Sequence, residues 1–245
     1  MAEIYAVFWG DLRQLRRRLW RTVGTGLLSP ILYLVAFGWG LGRGTQMGGT
    51  DYLQFVIPGI IALTAMNTAY NAAGTKLNVG RLYYKTLDEY LMAPISIHSL
   101  VVGKALVGVI RGLITSTAML LLALAISRQT TVGPLFVATL LVTCFVFSFM
   151  GLLAAFLAKS HEDMATFSTL VLLPMTFLGG TFFSVDQVPA LLQAVLYAMP
   201  LTNASQCLRA AFLQQPFPWL SFAVLCGYLL AMYLACLIVV RRISV

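Results

Sequence analysis

Charge is scarce in this 245-residue chain. Sixteen Lys and Arg and eight Asp and Glu make 10% of the sequence, against ~25% in a soluble domain. Sixty per cent is apolar. Such a chain cannot cover a water-facing surface with polar groups, which excludes an ordinary soluble globule. It is also too apolar for disorder. The solvent it fits is a bilayer. Carboxylates are missing from the apolar runs: Glu3, Asp11, Asp51, Asp88, Glu89, Glu162, Asp163 and Asp186 all fall in loops or flanks. Proton-coupled transport relies on ionisable groups within the membrane, so self-powered secondary transport is disfavoured. An intramembrane aspartyl or metalloprotease is disfavoured for the same reason. There is no GxxxxGK[ST] loop, since Gly103-Lys104 lacks the upstream glycine and the following Ser or Thr, and no HExxH. The chain therefore offers no ATP site of its own. Its four cysteines form no CxxC pair, which argues against a disulfide framework or zinc site. His98 and His161 lie far apart and read as interface or loop residues.

What is present is long apolar runs. A helix needs ~20 apolar residues to cross the hydrocarbon core, and six segments qualify: 23–41, 52–73, 100–126, 132–157, 165–183 and 220–240. Pro30, Pro58 and Pro174 lie within them as expected kinks. The runs are too long and too uniform for a β-barrel. With the N-terminus inside, twelve basic residues fall on the cytoplasmic side and three (Arg43, Arg128, Arg209) outside. That bias sets orientation with both termini cytoplasmic. The basic surplus is thus a topology device, and nucleic acid is not an expected partner. The basic cluster before the first span leads into a full-length apolar run without a small-residue cleavage site, so no cleaved signal peptide is expected.

Three segments do not span. In residues 3–21, Phe8, Leu12, Leu15 and Leu19 share helical spacing while Arg13, Arg16, Arg17 and Arg21 lie elsewhere. This suits a helix lying in the cytoplasmic interface. Residues 79–92 also read as helical, with Val79, Leu82, Tyr83, Leu87, Tyr90 and Leu91 on one face and Lys85–Glu89 as an i,i+4 pair. Pattern leaves two readings open here, a docking helix or a loop resting in solvent or on the membrane. After Gly179-Gly180, Asp186 is expected to cap a short helix with Pro189 in its first turn. Pro200 is expected to end it, and Thr202 or Asn203 to cap a second reaching about Leu213. Both pieces are too short to span and suit an external helix–turn–helix. Arg111 lies within the third span. It is a functional candidate by default, although snorkelling or pairing is the favoured reading. Gly38-x-x-x-Gly42 and Gly108-x-x-x-Gly112 suit close packing within one chain or between two copies.

Four stretches carry a resemblance over essentially the whole length. They are Phe55-Val-Ile-Pro-Gly59, Leu87-Asp-Glu-Tyr-Leu-Met-Ala-Pro94, Ala158-Lys-Ser-His-Glu-Asp163, and Phe177-Leu-Gly-Gly-Thr-Phe-Phe-Ser-Val-Asp-Gln-Val-Pro189 with Pro200-Leu201. The chain resembles the membrane subunit of type-2 ABC exporters, the group that includes Nod-factor, O-antigen and daunorubicin-type export permeases. The resemblance implies an all-α membrane protein, one permease domain over 1–245, with six spans and an interfacial helix at 1–21. It implies that 79–92 is a coupling helix seated on a separate ATPase. Arg81, Lys85, Asp88 and Glu89, with Glu162 and Asp163 in the second loop, would make that contact. It further implies that 184–213 forms external re-entrant helices, with an external gate at Gly179, Gly180, Phe182, Phe183, Asp186, Pro189 and Pro200. A dimer of permeases over two ATPase copies follows, in a bacterial inner membrane. ATP and Mg sit on the ATPase, and no cofactor sits on this chain. A pathway lined by Phe, Tyr and Met would suit amphipathic cargo such as lipids, glycolipids, lipid-linked saccharides or drugs. The competing readings are an ATP-independent channel or flippase and, with no clustered His/Asp/Glu to support it, a lipid-modifying enzyme.

Overall fold

A computed structural model describes residues 2–17, 19–41, 46–47, 50–126 and 132–243. Helix dominates, as the apolar runs require. α1 (Ala2–Arg17) is followed by α2 (Leu19–Tyr33), which continues as a π-helical stretch, Leu34–Leu41. A two-residue antiparallel ladder pairs Gln46–Met47 with Thr50–Asp51. Then come α3 (Tyr52–Leu82), α4 (Thr86–Met92), α5 (Ile97–Ile126) and α6 (Pro134–Leu157). α7 (His161–Phe167) passes through a π-helical turn, Ser168–Leu172, into α8 (Leu173–Leu178). A 3₁₀ turn, Val185–Gln187, precedes α9 (Ala190–Tyr197), α10 (Pro200–Phe212) and α11 (Trp219–Ile243). Pro30 and Pro174, which cannot donate to the helical ladder, sit beside the two π-helical stretches, where backbone pairing is widened.

Among the described residues, four helices are long and apolar enough to cross a membrane: Tyr52–Leu82, Ile97–Ala125, Pro134–Leu157 and Trp219–Arg242. Thr22–Gly38 is a shorter apolar helix. α3 is the axis of the fold. Its most apolar stretch is 78% buried, against 22% for α11, because α5, α6, α10 and α2 all pack on it. Small residues make those crossings close. A Cβ added at Gly74 would fall 2.6 Å from the Gly151 carbonyl oxygen of α6, and one at Gly108 would fall 2.7 Å from the Ala69 carbonyl oxygen of α3. The Gly108–Gly112 pair therefore serves packing within the chain.

Several sequence expectations change here. The helix that holds the expected span 52–73 continues to Leu82. Its polar last turns, including Thr75, Lys76 and Asn78, lowered the hydropathy but meet protein and cavity surfaces. The segment 79–92 is not one helix. Tyr83–Lys85 breaks it, Lys85 takes φ 51°, and only Thr86–Met92 forms α4. After α8, Asp186 lies in the 3₁₀ turn and Pro189 occupies the cap position of α9. α9 ends at Tyr197, and Pro200 starts α10 at its first turn rather than stopping its predecessor, as suits a residue with no N–H to offer. α1 turns Val7 and Asp11 inward. Leu15 and Leu19, half of the apolar face expected for it, lie outside the described side chains.

Candidate functional site

Two cavities open along α3. The larger, about 660 Å³, is bounded by α2, α3 and the stretch from Ser168 to Thr176, and Arg111 reaches it from α5. Most of its lining residues carry a hydroxyl or amide group, set among apolar surface from Pro30, Leu63, Leu172 and Leu173. α2 supplies Thr22, Thr25 and Ser29, and the fifth apolar segment supplies Ser168, Thr169 and Thr176. α3 supplies Thr64, Asn67, Thr68, Asn71 and Thr75, spaced i, i+3, i+4, i+7 and i+11 along one helical face. Arg111 is the one charged residue in this lining. Tyr33 is the one aromatic side chain in this lining. Many of these groups bond their own helix. Thr64 Oγ1 donates to the Ile60 carbonyl at 2.7 Å, Asn67 Nδ2 to Leu63 at 3.1 Å, and Asn71 Nδ2 to Asn67 at 2.8 Å. Thr176 Oγ1 donates to Leu172 at 2.8 Å. One N–H of each of these asparagines and the Thr64 and Thr176 hydroxyl protons are committed to the backbone, while the asparagine carbonyl oxygens and the hydroxyl lone pairs offer acceptors.

The second cavity, about 530 Å³, shares Asn71, Ala72, Thr75 and Arg111 with the first. It continues past Lys76 and Lys104 to Tyr84, Thr86 and Tyr90 beside α4. Asp11 of α1 closes one side. Its Oδ1 meets Lys76 Nζ at 2.6 Å and its Oδ2 meets Lys104 Nζ at 3.0 Å. Lys104 also lies 4.5 Å over the Tyr90 ring. Burial disfavours the Asp11 carboxylate, but Lys104 and Lys76 outweigh it and hold its pKa below the usual range. Glu3 ties the start of α1 to α5, accepting from Ser96 N at 3.1 Å and Ser96 Oγ at 3.0 Å.

The expected coupling residues take varied positions. Lys85 and Glu89 are exposed around α4, whereas the Asp88 side chain lies outside the described ones. Among the described residues the ion pairs are those of Asp11, so the expected Lys85–Glu89 pair is not made. Lys85 precedes the helix in a left-handed conformation and is not in i,i+4 register on a helical face. Arg81 Nη1 donates to the Ala155 carbonyl at 3.0 Å and to Ala158 at 3.2 Å, covering the end of α6. Glu162 is exposed. Asp163 forms a capping box with Ser160: its Oδ2 accepts from Lys159 N at 2.9 Å and Ser160 N at 3.1 Å, while Ser160 Oγ accepts from Asp163 N at 3.0 Å. The pattern Ser160-x-x-Asp163 was readable as a cap and passed over.

The expected gate segment is fastened rather than loose. Gly180 takes φ +65°, which turns its carbonyl into the protein. Arg209 of α10 donates to it from Nη2 at 2.8 Å and to the Phe55 carbonyl from Nε at 3.1 Å, with its guanidinium 3.6 Å over the Phe55 ring. Ser205 Oγ donates to the Gly179 carbonyl at 3.0 Å, and Tyr52 to the Phe182 carbonyl at 2.9 Å. Phe182 stacks on Phe37 at 4.2 Å, while Phe183 is half-buried. Asp186 and Pro189 are exposed, and Pro200 is buried. Arg209 was counted as an exterior topology charge, yet it is buried. Burial pushes its pKa down to about 10, so it stays cationic at neutral pH. The histidines bond across elements, His161 Nδ1 with Asn78 Oδ1 at 3.2 Å and His98 Nδ1 with Tyr233 at 2.8 Å. Arg111, 14 positions beyond Ile97, lies near the middle of α5.

The sequence pattern of the ABC-2 type transporter family matches residues 2–213. The chain is 31% identical over 230 residues to the inner membrane transport permease YadH of Escherichia coli (strain K12), covering 92% of this chain and 90% of that protein. It is 29% identical over 223 residues to nodulation protein J of Rhizobium leguminosarum bv. viciae, covering 88% and 85%. Nodulation protein J of Rhizobium meliloti (strain 1021) is 27% identical over 223 residues, covering 88% and 84%. With the apolar helices and the polar cavities on α3, these likenesses place the chain: it belongs to the ABC-2 type transporter family, as a membrane permease subunit.

Proposed function

We propose that this permease is the six-span half of an ATP-driven exporter in a bacterial inner membrane, with both termini cytoplasmic. Its cargo is an amphipathic molecule whose polar part travels in the hydroxyl-lined groove. The observation that carries this reading is the continuity of the two cavities through Asn71, Thr75 and Arg111, from α4 to the polar face of α3. In this scheme α2 with its π-helical continuation and α7–α8 complete the set of six. A second copy of the permease closes the open side of the groove. The motor is a separate ATPase, two copies of which hold ATP and Mg. α4, Glu162 and the neighbouring loop transmit its closure to α3. Transport then requires that the ATPase states favour different permease conformations.

α4 hangs directly from α3 through Tyr83–Lys85, so a push on α4 reaches the polar stripe along one rigid helix. The test is charge reversal at that contact. Asp88→Lys with Glu89→Lys is expected to abolish co-purification of the ATPase and substrate-stimulated hydrolysis while the permease still inserts. Intact co-purification with intact stimulation would sink the coupling assignment. Movement of substrate by the permease alone, without nucleotide, would install the channel reading in its place.

A further inference from the structure

Among the described residues no carboxylate pairs directly with Arg111, and Asp11 is a counter-charge only at a distance. The Arg111 Nε is buried and has no hydrogen-bond partner. The nearest carboxylate lining either cavity belongs to Asp11, and both of its oxygens are taken, one by Lys76 and one by Lys104. The second cavity is thus lined by three cations and one anion, a net of +2. A guanidinium in the middle of an apolar helix with no direct carboxylate partner is costly, which makes it a functional candidate by default. Arg209 shows how the same fold satisfies an arginine it keeps for structure, with two carbonyl oxygens and an aromatic face.

The surroundings of Arg111 specify what would complete it. On one side lie acceptor oxygens of Asn67, Asn71 and Thr75, suited to hydroxyl or amide donors. On the other lie Lys76 and Lys104, which raise the local positive potential. The larger cavity, at about 660 Å³, has the volume of a small-ligand site and not of a whole lipid. Resting on the groove reading above, we propose that Arg111 is the anion-binding subsite of the groove. The transported amphiphile then carries a negatively charged oxygen group, phosphate, sulfonate or carboxylate, beside an uncharged hydroxyl- or amide-bearing head. The fork geometry of the guanidinium suits paired contacts to such a group. The lysines, held by Asp11, act as a charged approach and Arg111 as the seat.

The experiment uses the permease with its ATPase in phosphatidylcholine nanodiscs. The probes are monoglucosyl diacylglycerol, sulfoquinovosyl diacylglycerol, which replaces a hydroxyl with a sulfonate, and phosphatidylglycerol. Native mass spectrometry reads apparent affinity, and protection of Asn67→Cys from a soluble maleimide reads location. The two charged lipids are expected to bind roughly tenfold or more tighter than the neutral one, the scale of one charged hydrogen bond. Arg111→Gln should erase that preference and Arg111→Lys should keep much of it. Binding of the sulfonate alone would assign the charge to a sugar-borne group, and binding of the phosphate alone to a phosphodiester; both support the subsite. Equal binding of charged and neutral probes, or an undiminished preference in Arg111→Gln, overturns it. If the probes protect Asn67→Cys equally, the groove reading survives and the anion assignment falls. If none protects it, both fall.

Discussion

Two arginines of the fold, one buried and one half-buried, differ in how their polar atoms are met. Arg209 is held in α10 by the carbonyls of Phe55 and Gly180 and by the Phe55 ring. It pins the turn after α8 to the start of α3. Arg111, on α5, has a buried Nε with no partner and faces two cavities. Arginine in a membrane protein therefore has no single meaning. What decides is whether the backbone around it supplies acceptors. Gly180, at positive φ, turns one toward Arg209. Around Arg111 the Thr115 hydroxyl instead bonds the Arg111 and Gly112 carbonyls.

The largest expected effect is at the structural site. Arg209→Met removes two hydrogen bonds from a charged donor, worth ~1.5–3 kcal/mol each. It should lower the melting temperature of the purified permease by roughly 10 °C, read by thermal unfolding in detergent. A shift of a degree or two would mean that Arg209 is not the pin described here.

Next comes Asp11, a counter-charge to Arg111 only at a distance. Asp11→Asn removes the shared counter-charge of Lys76 and Lys104 and is expected to cost roughly 1–2 kcal/mol, modest because Lys76 is a third exposed. The wild type carries a pH signature. The folded carboxyl has a lowered pKa, so its contribution is fully present above the ordinary carboxylate value of ~4. It fades as pH falls through the folded value. Melting temperatures measured down that window should converge for wild type and Asp11→Asn. A difference that stays constant with pH would contradict the ion-pair account.

The smallest effect on stability belongs to Arg111. Arg111→Gln removes a charge with no direct carboxylate partner and should leave the melting temperature within a few degrees of wild type, or raise it. If it destabilises as much as Arg209→Met, the contrast between the two arginines collapses.

Much of the fold was legible in the sequence, because apolar runs of span length have few alternatives. α5, α6 and α11 fall within a few residues of the expected spans. α3 continues as helix past residue 73, and a hydropathy pattern does not show this because Thr75, Lys76 and Asn78 are polar and turn toward cavity and protein. The groove itself left a signal. Thr64, Asn67, Thr68, Asn71 and Thr75 repeat at helical spacing inside an otherwise apolar helix, and a polar stripe there needs a wet or polar neighbour. Asp11 and Arg209 gave no such warning. Their partners, Lys104 for one and the Phe55 carbonyl for the other, lie 93 and 154 positions away. Only the tertiary fold brings them together.

The central claim is that the α3 groove moves with nucleotide while the Arg209 pin does not. The direct measurement compares two single cysteines, Asn67→Cys in the groove and Ser205→Cys beside Gly179. Both are placed in a permease whose four native cysteines are replaced by alanine, assembled with its ATPase. Labelling by a soluble maleimide is followed with and without a non-hydrolysable ATP analogue. The account expects a severalfold change at Asn67→Cys and none at Ser205→Cys. Equal, nucleotide-independent labelling at both positions would contradict it.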